Sequence, residues 1–198
     1  MKATELQVEG AYVFTPDVFR DERGFFVSPF QQSDLVETIG RPLFPVAQMS
    51  LSQSRRGVVR GIHYTRTPPG VAKYVHCPQG QALDIIIDLR VGSPTFGKWD
   101  SVVLDREEAK AVYIPLGMGH MFVALTDDTV VSYMLSGQYV ADNELAITPF
   151  DPELDLPIPK NIEPIMSPRD TVAPTVAQAL EQGLLPDYQQ SLRLHDAL

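Results

Sequence analysis

The sequence predicts an all-β protein, a barrel or sandwich of short strands with a few flanking helices. Short β-type runs recur at regular spacing, and turn residues such as Pro68-Pro69-Gly70 and Gly92-Ser93-Pro94 separate them. The strand–helix alternation and the glycine-rich phosphate motifs of doubly wound nucleotide-binding folds are missing. The composition of the 198 residues, 44% hydrophobic and 21% charged, is that of a globular chain and excludes whole-chain disorder.

Each strand is predicted from an apolar or alternating run. The eight predicted strands are Pro45–Leu51, Val58–Tyr64, Lys73–Cys77, Ala82–Leu89, Lys98–Leu104, Ala111–Ile114, His120–Leu125 and Val130–Leu135. In the fourth strand, alternation assigns Ile85 and Ile87 to one face and Asp84 and Ile86 to the other. In the last strand, Tyr133 falls on an apolar face, where a tyrosine is usually core with its hydroxyl bonded to the backbone.

Two helices are predicted, one over Gln31–Ile39 and one over Thr175–Gln182, because Gly40 and Gly183 are good helix C-terminal residues. The length predicts a single domain over residues 1–198. We expect it to consist of an N-terminal arm (1–42), a barrel core (43–150) and a proline-rich C-terminal wrap (151–198). The tail after Pro186 is expected to be loosely held.

The charge distribution predicts a local anion site. The net charge of −9 argues against nucleic acid or an anionic membrane as a partner. The 46 residues from Thr38 to Leu83 hold no acid, where the chain average would give about six. This stretch carries Arg41, Arg55, Arg56, Arg60, Arg66 and Lys73. It therefore predicts a site for a small anion, although a chance gap in a strand-rich segment remains the alternative.

The single cysteine and the N-terminus bear on location. Cys77 has no partner for an internal disulfide, which fits a reducing, cytoplasmic setting. The segment Met1–Gly10 contains no apolar run, so we expect neither a signal peptide nor a membrane span there.

Of the four histidines, two have informative neighbours. His195 lies near the end of the chain and is expected to be solvated, and His76 is expected to be a satisfied strand residue. His63 follows Arg60-Gly61, and strand parity places Arg60 and His63 on opposite faces. Both can reach one pocket only if the strand is bulged or ends there, and Gly61 is a plausible bulge residue.

The segment Pro115–His120 resembles the second sequence motif of the cupins, which are small double-stranded β-helix barrels. In metal-binding cupins the first motif supplies His-x-His and a glutamate. The corresponding stretch here, His63-Tyr64-Thr65, has no second histidine and no glutamate at ligand spacing. We therefore expect no metal site, and a metal-dependent cupin oxygenase is a minor alternative that metal analysis would test.

A wider set of motifs, taken in order, is far more specific than any one of them. They are Asp21–Phe26, Gly57–Tyr64, Pro68-Pro69, Lys73–Cys77, Asp84–Arg90, Ser93–Gly97, Pro115–His120, Tyr133 with Tyr139, and Ser167–Asp170. On these motifs the chain resembles the dTDP-4-dehydro-6-deoxyhexose 3,5-epimerases of dTDP-rhamnose and antibiotic-sugar biosynthesis. The resemblance covers most of the chain, and it implies a cupin-like double-stranded β-helix, or jelly-roll barrel, with short flanking helices.

The resemblance implies four catalytic residues for epimerisation of dTDP-4-keto-6-deoxy-D-glucose at C3, C5 or both. His63 would be the base that removes a proton beside the ketone, and Asp170 would hold it by a hydrogen bond. Tyr133 would return a proton on the opposite face of the ring. Lys73 would stabilise the negative charge that develops on the keto oxygen. The reaction needs no metal, nicotinamide or flavin, so no cofactor is expected.

The resemblance also implies a substrate-binding set. Cationic side chains would approach the diphosphate, and aromatic or polar side chains would contact the nucleotide or complete the pocket. The implied residues are Arg23, Phe25, Ser28, Gln48, Ser50, Arg60, Lys73, His120, Tyr139, Glu144 and Arg169.

Three positions depart from the usual family pattern. Ser28 replaces a common glutamate, Ser50 replaces a common asparagine, and Arg169 replaces lysine. The pattern around Ser28 is more similar to the antibiotic-sugar branch, some members of which are thought to invert one centre only. A mono-epimerase is therefore an open alternative.

The resemblance further implies a homodimer in which the N-terminal segment crosses to the partner. Two other hypotheses are a related dTDP-keto-sugar ketoisomerase and a non-catalytic nucleotide-sugar binding barrel. Retention of His63, Lys73, Tyr133 and Asp170 argues against the loss of chemistry that a binding barrel implies.

Overall fold

The computed structural model describes all residues, 1–198. Its strands are β1 (Lys2–Glu5), β2 (Tyr12–Thr15), β3 (Val18–Asp21), β4 (Gly24–Val27), β5 (Gln48–Ser54), β6 (Val59–Thr65), β7 (Lys73–Gln79), β8 (Gln81–Asp88), β9 (Trp99–Asp105), β10 (Ala111–Ile114), β11 (Met118–Ala124), β12 (Thr129–Leu135) and β13 (Glu144–Ala146). The α-helices are α1 (Gln32–Ile39), α2 (Pro168–Thr171), α3 (Val176–Glu181) and α4 (Tyr188–Asp196). None of these helices has the length and apolar character needed to cross a membrane.

Two antiparallel sheets form the barrel. The larger has six strands in the order β1-β2-β10-β7-β12-β5, and the smaller has five in the order β13-β6-β11-β8-β9. The hairpin β3–β4 forms a separate two-stranded sheet. The predicted all-β, cupin-like jelly roll with short helices is confirmed.

Apolar alternation explains how the sheets pack. Ile86 and Phe122 of the smaller sheet meet Val112 and Val131 of the larger sheet in one buried cluster inside the barrel. Ile85 and Ile87 of β8 lie in a second cluster, which residues of the C-terminal segment, including Leu154, Ile162 and Val176, cover. The predicted alternation in this strand is therefore confirmed, and the C-terminal segment wraps the smaller sheet.

All eight predicted strands and both predicted helices are present. The largest boundary difference is at β5, predicted over Pro45–Leu51 and found at Gln48–Ser54. The prediction followed an apolar run in the sequence, whereas the inward side chains of the actual strand are largely serines. Gly40 ends α1 in the left-handed conformation, with φ of 76°, as expected.

The N-terminal region is more ordered than the sequence patterns predict. Strands β1 and β2 pair with each other, and β2 also pairs with β10, so both belong to the larger sheet. These four-residue strands, like those of the hairpin and the three-residue β13, are too short for alternation to identify them.

The expectation of a loose tail after Pro186 is wrong. Helix α4 begins after Asp187, whose side chain accepts a hydrogen bond from the Gln190 backbone N–H. The Tyr188 hydroxyl contacts both carboxylate oxygens of Glu9 at 2.8 Å. His195, expected to be solvated, is only 8% exposed, and its Nε2 lies 2.9 Å from the Tyr113 hydroxyl. Polar contacts to the barrel, rather than a long apolar stripe, hold this helix.

The predicted irregularity in β6 is confirmed. His63 lies opposite His120 and Arg60 lies opposite Phe122, so β6 has one more residue than β11 between these pairs. Gly61 takes φ of 118°, and a Cβ there would lie 2.5 Å from the His120 carbonyl oxygen. The bulge therefore requires glycine, and it lets His63 and Arg60 project toward neighbouring hollows.

Candidate active site

A cavity of about 340 Å³ lies where β5, β6, β7 and β12 come together. It is lined by residues from both sheets and from the C-terminal segment. Eight of the residues implied by the sequence line it, namely Gln48, Ser50, His63, Lys73, Tyr133, Tyr139, Glu144 and Arg169.

His63 and Asp170 form the pair that the sequence comparison implied. His63 Nε2 lies 2.7 Å from Asp170 Oδ1 across 107 positions of sequence. Burial lowers the pKa of His63, Arg169 and Lys73 lower it further, and the hydrogen bond to Asp170 opposes them. The pKa of Asp170 is lowered, because hydrogen bonds and nearby cations outweigh its burial. An ionised Asp170 requires the proton on Nε2, so the Nδ1 of neutral His63 is the free base.

The position of Asp170 is fixed by the short helix α2. The Ser167 hydroxyl accepts a hydrogen bond from the Asp170 backbone N–H at 3.2 Å, and Pro168 occupies the first helical turn. The side chain of Asp170 is 2% exposed, whereas that of His63 is 30% exposed. The carboxylate is thus buried behind the imidazole, which faces the cavity.

The side chain of Lys73 is half-buried, and its ammonium group has no ion-pair partner within 4 Å. Burial lowers the pKa of Lys73, while the carboxylates of Glu144 and Asp84 oppose that shift from a distance. An ammonium group that lines a cavity and lacks direct neutralisation can bind an anionic oxygen of a ligand.

Tyr133 lines the cavity from the other sheet. His63 belongs to β6 of the five-stranded sheet, and Tyr133 belongs to β12 of the six-stranded sheet. The Tyr133 hydroxyl lies 3.3 Å from Ser52 Oγ, so its partner is a side chain and not the backbone that the sequence predicted. Burial raises the pKa of Tyr133, while the hydrogen bond to Ser52 opposes that rise.

His120 lies deeper in the barrel, beside Tyr133. The two rings meet edge to face, with centroids 6.1 Å apart. His120 Nε2 is 2.8 Å from Asp84 Oδ2, and both residues are buried. Sequence reasoning placed Asp84 on the same face of the strand as Ile86 but gave it no role; a carboxylate in an isoleucine-rich strand is the signal that could have found it.

Arg60 lies in an adjoining hollow of about 300 Å³, which His63, Arg169 and Asp170 also line. Its guanidinium donates to Ser54 Oγ at 3.1 Å and to the Gln53 carbonyl at 3.2 Å. Arg169 lines both hollows. Arg60 and Arg169 therefore lie together beside His63, as an anion site next to the cavity would require.

Polar side chains at the cavity wall are held in place by hydrogen bonds. Gln48 donates to Ser50 Oγ at 2.8 Å and accepts from the Tyr139 backbone N–H at 2.8 Å. Glu144 accepts from the Thr65 hydroxyl at 2.9 Å. The Tyr139 ring is 60% exposed and is available to stack on a flat ligand.

Six implied residues do not line the cavity itself. Asp170, Arg60 and His120 lie directly beside it, whereas Arg23, Phe25 and Ser28 lie apart from it. Arg23 lies at the exposed end of the β3–β4 hairpin and pairs with Asp21. The Phe25 ring has the guanidinium groups of Arg20 and Arg106 at 5.5 and 5.3 Å from its centroid. Ser28 follows the hairpin and makes no side-chain hydrogen bond. The structure therefore separates this hairpin group from the other implied residues.

The geometry supports proton transfer on two sides of one bound molecule. A base held by a carboxylate and a phenol project from opposite sheets into the same cavity, and an ammonium group shares it. No three histidine, cysteine or acidic side chains gather closely enough to hold a metal ion.

Comparison with known proteins agrees with this geometry. Residues 5–178 match the family model described as dTDP-4-dehydrorhamnose 3,5-epimerase. A dTDP-4-dehydro-6-deoxyglucose 3-epimerase from a Streptomyces species is 46% identical, with 93% of each chain covered. A dTDP-4-dehydrorhamnose 3,5-epimerase from Streptomyces griseus is 42% identical, covering 98% of this chain and 96% of the relative.

A solved structure shares the whole fold. It is a 3'-monoepimerase from Streptomyces bikiniensis in complex with dTDP-quinovose, with a TM-score of 0.92 and 43% identity over 97% of this chain and 96% of that one. The match of fold, sequence and motif order over almost the full length shows that this chain belongs to the dTDP-4-dehydrorhamnose 3,5-epimerase family.

Proposed function

We propose that this protein epimerises dTDP-4-keto-6-deoxy-D-glucose at carbons next to the ketone, C3, C5 or both, in deoxysugar biosynthesis. The observation that carries the proposal is the pairing of His63 and Tyr133 across one cavity, from opposite sheets. Inversion needs a base on one face of the sugar ring and an acid on the other, and this arrangement supplies both.

The first step is removal of a proton by His63. Nδ1 takes the proton from the carbon beside the ketone, and the electron pair of the C–H bond forms the enolate. Asp170 holds the ring by its 2.7 Å hydrogen bond and stabilises the imidazolium that results. The lowered pKa of His63 keeps the base neutral, and thus active, at neutral pH.

Lys73 is the group that makes this carbon acid reactive. Its half-buried ammonium is the cation in the cavity best suited to stabilise the enolate oxygen, and a preorganised charge in a dry site is worth about 3 kcal/mol or more. Tyr133 then donates its proton to the opposite face of the enolate carbon. His120 packs against the Tyr133 ring and completes the inner wall.

The diphosphate and nucleotide fit the rest of the cavity. Arg60 and Arg169 supply cations for the diphosphate, and arginine binds phosphate oxygens in a two-pronged geometry. Gln48, Tyr139 and Glu144 offer hydrogen bonds and a ring face to the base. Ser50 replaces a longer side chain of the family pattern and accepts a hydrogen bond from the Gln48 amide.

A homodimer would bring the hairpin group to a second cavity. The β3–β4 hairpin exposes Phe19 by 65% and Phe26 by 70%, which is unusual for a hairpin that remains in water. In the dimer implied by the family resemblance, Arg23, Phe25 and Ser28 would contact substrate bound to the partner. The reducing setting indicated by the single cysteine makes the cytoplasm the expected location.

A 3-epimerase is the second candidate. Several curated relatives at 45–46% identity carry 3-epimerase names, whereas the named 3,5-epimerases are 40–42% identical. The base, acid and ammonium group would be the same in both reactions. The difference between the two candidates is therefore whether the C5 proton also reaches His63.

Incubation with dTDP-4-keto-6-deoxyglucose in D₂O, followed by NMR of the sugar protons, tests the proposal. Exchange with inversion at C3 and C5 establishes a 3,5-epimerase, and exchange with inversion at C3 alone establishes a 3-epimerase. His63→Ala should abolish exchange at both positions while dTDP binding persists. Absence of exchange in the wild-type protein, with substrate shown to bind, would overturn the proposal in favour of a binding barrel.

A further inference from the structure

The inner face of β5 presents a row of hydroxyl groups to the site. Ser50, Ser52 and Ser54 alternate with exposed residues along the strand. Each engages a side chain of the proposed site: Ser50 binds Gln48 at 2.8 Å, Ser52 meets Tyr133 at 3.3 Å, and Ser54 accepts from Arg60 at 3.1 Å. Ser50 lies directly opposite Tyr133 in the sheet, but Ser52 is the only one of the three whose hydroxyl contacts the hydroxyl of a proposed acid–base group.

We propose that Ser52 is a positioning residue that orients the Tyr133 hydroxyl and donates a hydrogen bond to the phenolate left after proton transfer. The inference rests on the proposed function, because it concerns the step in which Tyr133 reprotonates the enolate. It adds a residue on an edge strand to the pair that drives inversion.

The contact geometry supports an active role for this hydroxyl. Ser132 on β12 lies beside Tyr133, but strand alternation points it to the other face of the sheet, and its hydroxyl makes no hydrogen bond. The Tyr133 hydroxyl has no other protein hydrogen-bond partner than Ser52. Without that contact, rotation about the bond between the ring and the hydroxyl oxygen would be unconstrained, and a newly formed phenolate would lack a protein donor.

The electrostatic surroundings make such a donor necessary. Burial raises the pKa of Tyr133, and the charges of Asp84 and Cys77 act in the same direction. Arg60 and the hydrogen bond to Ser52 act against that rise. Arg60 is itself held by Ser54, so two adjacent inward serines of β5 favour the phenolate, one directly and one through a cation.

Ser52 donates a hydrogen bond during the reprotonation step but does not transfer a proton. The Tyr133 O–H bond breaks, the enolate carbon gains the proton, and the phenolate then accepts a hydrogen bond from Ser52 Oγ–H. Ser52 keeps its own proton throughout. The cycle closes when the proton on His63 leaves to solvent and solvent returns one to Tyr133, so no co-reactant is needed.

Exchange and inversion can be measured separately, and only inversion requires Tyr133. In D₂O, His63 can remove a proton and return a deuteron to the same face, which gives exchange without inversion. Ser52→Ala should therefore reduce inversion by about tenfold or more, as for loss of a hydrogen bond to a charged group, while exchange on the His63 face falls far less. Ser52→Thr, which keeps the hydroxyl, should restore the wild-type ratio of inversion to exchange.

Two further variants complete the test. Ser101→Ala on β9 is a matched control, because its half-buried hydroxyl makes no side-chain hydrogen bond, and it should leave both rates unchanged. In a Tyr133→Phe background, where inversion is already lost, Ser52→Ala should leave the remaining exchange on the His63 face unchanged, because the proposed partner of Ser52 is absent.

The outcomes separate the two proposals. Ser52 would lose its proposed role if Ser52→Ala lowered inversion and exchange by the same factor, or if it lowered exchange further in the Tyr133→Phe background. Either result would leave the epimerase proposal intact. A wild-type protein that binds substrate but shows no exchange would overturn both.

Discussion

Replacing Asp170 with asparagine tests the proposed base most directly. The carboxylate is 2% exposed and lies 2.7 Å from His63 Nε2, so the substitution exchanges a charge-assisted hydrogen bond for a neutral one in a buried position. Such a bond contributes about 1.5–3 kcal/mol, which corresponds to roughly 10- to 150-fold in rate. The amide N–H₂ can also donate to Nε2 and thereby place the ring proton on Nδ1, where the base is needed. By analogy with the same substitution in a serine-protease triad, we expect a loss of about 10²- to 10⁴-fold in kcat.

The pH dependence of this variant provides an independent test, because the direction in which the acid limb of kcat/KM moves is also predicted. In the wild-type protein, the hydrogen bond to Asp170 opposes the lowering of the His63 pKa by burial, Arg169 and Lys73. Removing the carboxylate charge therefore lowers the pKa of His63 further. Since the base acts in its neutral form, the acid limb of kcat/KM should move to lower pH.

The assay is deuterium exchange and inversion of the keto-sugar, measured across pH, with dTDP binding as a test of folding. Asp155→Asn is a suitable control, because this exposed residue of the C-terminal segment takes a positive φ that asparagine tolerates. Activity of Asp170→Asn within threefold of wild type, or an acid limb that moves upward, would refute the role assigned to the pair.

Three further changes have defined outcomes. Gly61→Ala should unfold the bulge or abolish activity, at a cost of about 3 kcal/mol or more in urea denaturation, because a Cβ would lie 2.5 Å from the His120 carbonyl oxygen and 2.6 Å from Met121 Cβ. Asp84→Ala should lower the free energy of unfolding by about 3–5 kcal/mol, since it removes the partner of the buried His120 ring; a loss below 1 kcal/mol would contradict this. Burial lowers the pKa of His195 to about 3, so the unfolded chain takes up a proton near pH 6.5 that the folded chain does not. Stability should thus fall as pH drops from 6.5 towards 3, and His195→Gln should flatten that dependence in thermal melts; an unchanged profile would contradict the burial of this ring.

The sequence predicted the barrel strands well because their apolar side chains serve the core directly. Successive side chains of the run Leu83–Leu89 pack alternately into the two buried clusters. The glycines and prolines on either side of this run are typical of turns. Strand β5 was misplaced by three residues because its inward positions carry Ser50, Ser52 and Ser54, which contact polar side chains rather than an apolar core. Local patterns describe burial in apolar surroundings, and they lose accuracy where a strand borders a binding site.

The site was predictable only in part. His63 and Asp170 are 107 positions apart, and no local pattern joins them; the family resemblance supplied that pair. Ser52 carries no signal of its own in a single sequence, because a serine on an edge strand is common. An acid among isoleucines marks Asp84 as unusual, but only the structure shows its contact with His120, 36 positions away. His195 was misjudged because position near a chain end suggested exposure, whereas the polar contacts that bury it come from distant residues.

The long separation between His63 and Asp170 has a consequence for folding kinetics. The carboxylate reaches the imidazole only after β6 has paired within its sheet and the C-terminal segment has docked over the barrel. Contacts of high sequence separation form slowly, because loop-closure entropy must be overcome first. During refolding from denaturant, far-UV circular dichroism should therefore recover before turnover does. The time at which activity returns would therefore report when α2 docks against β6.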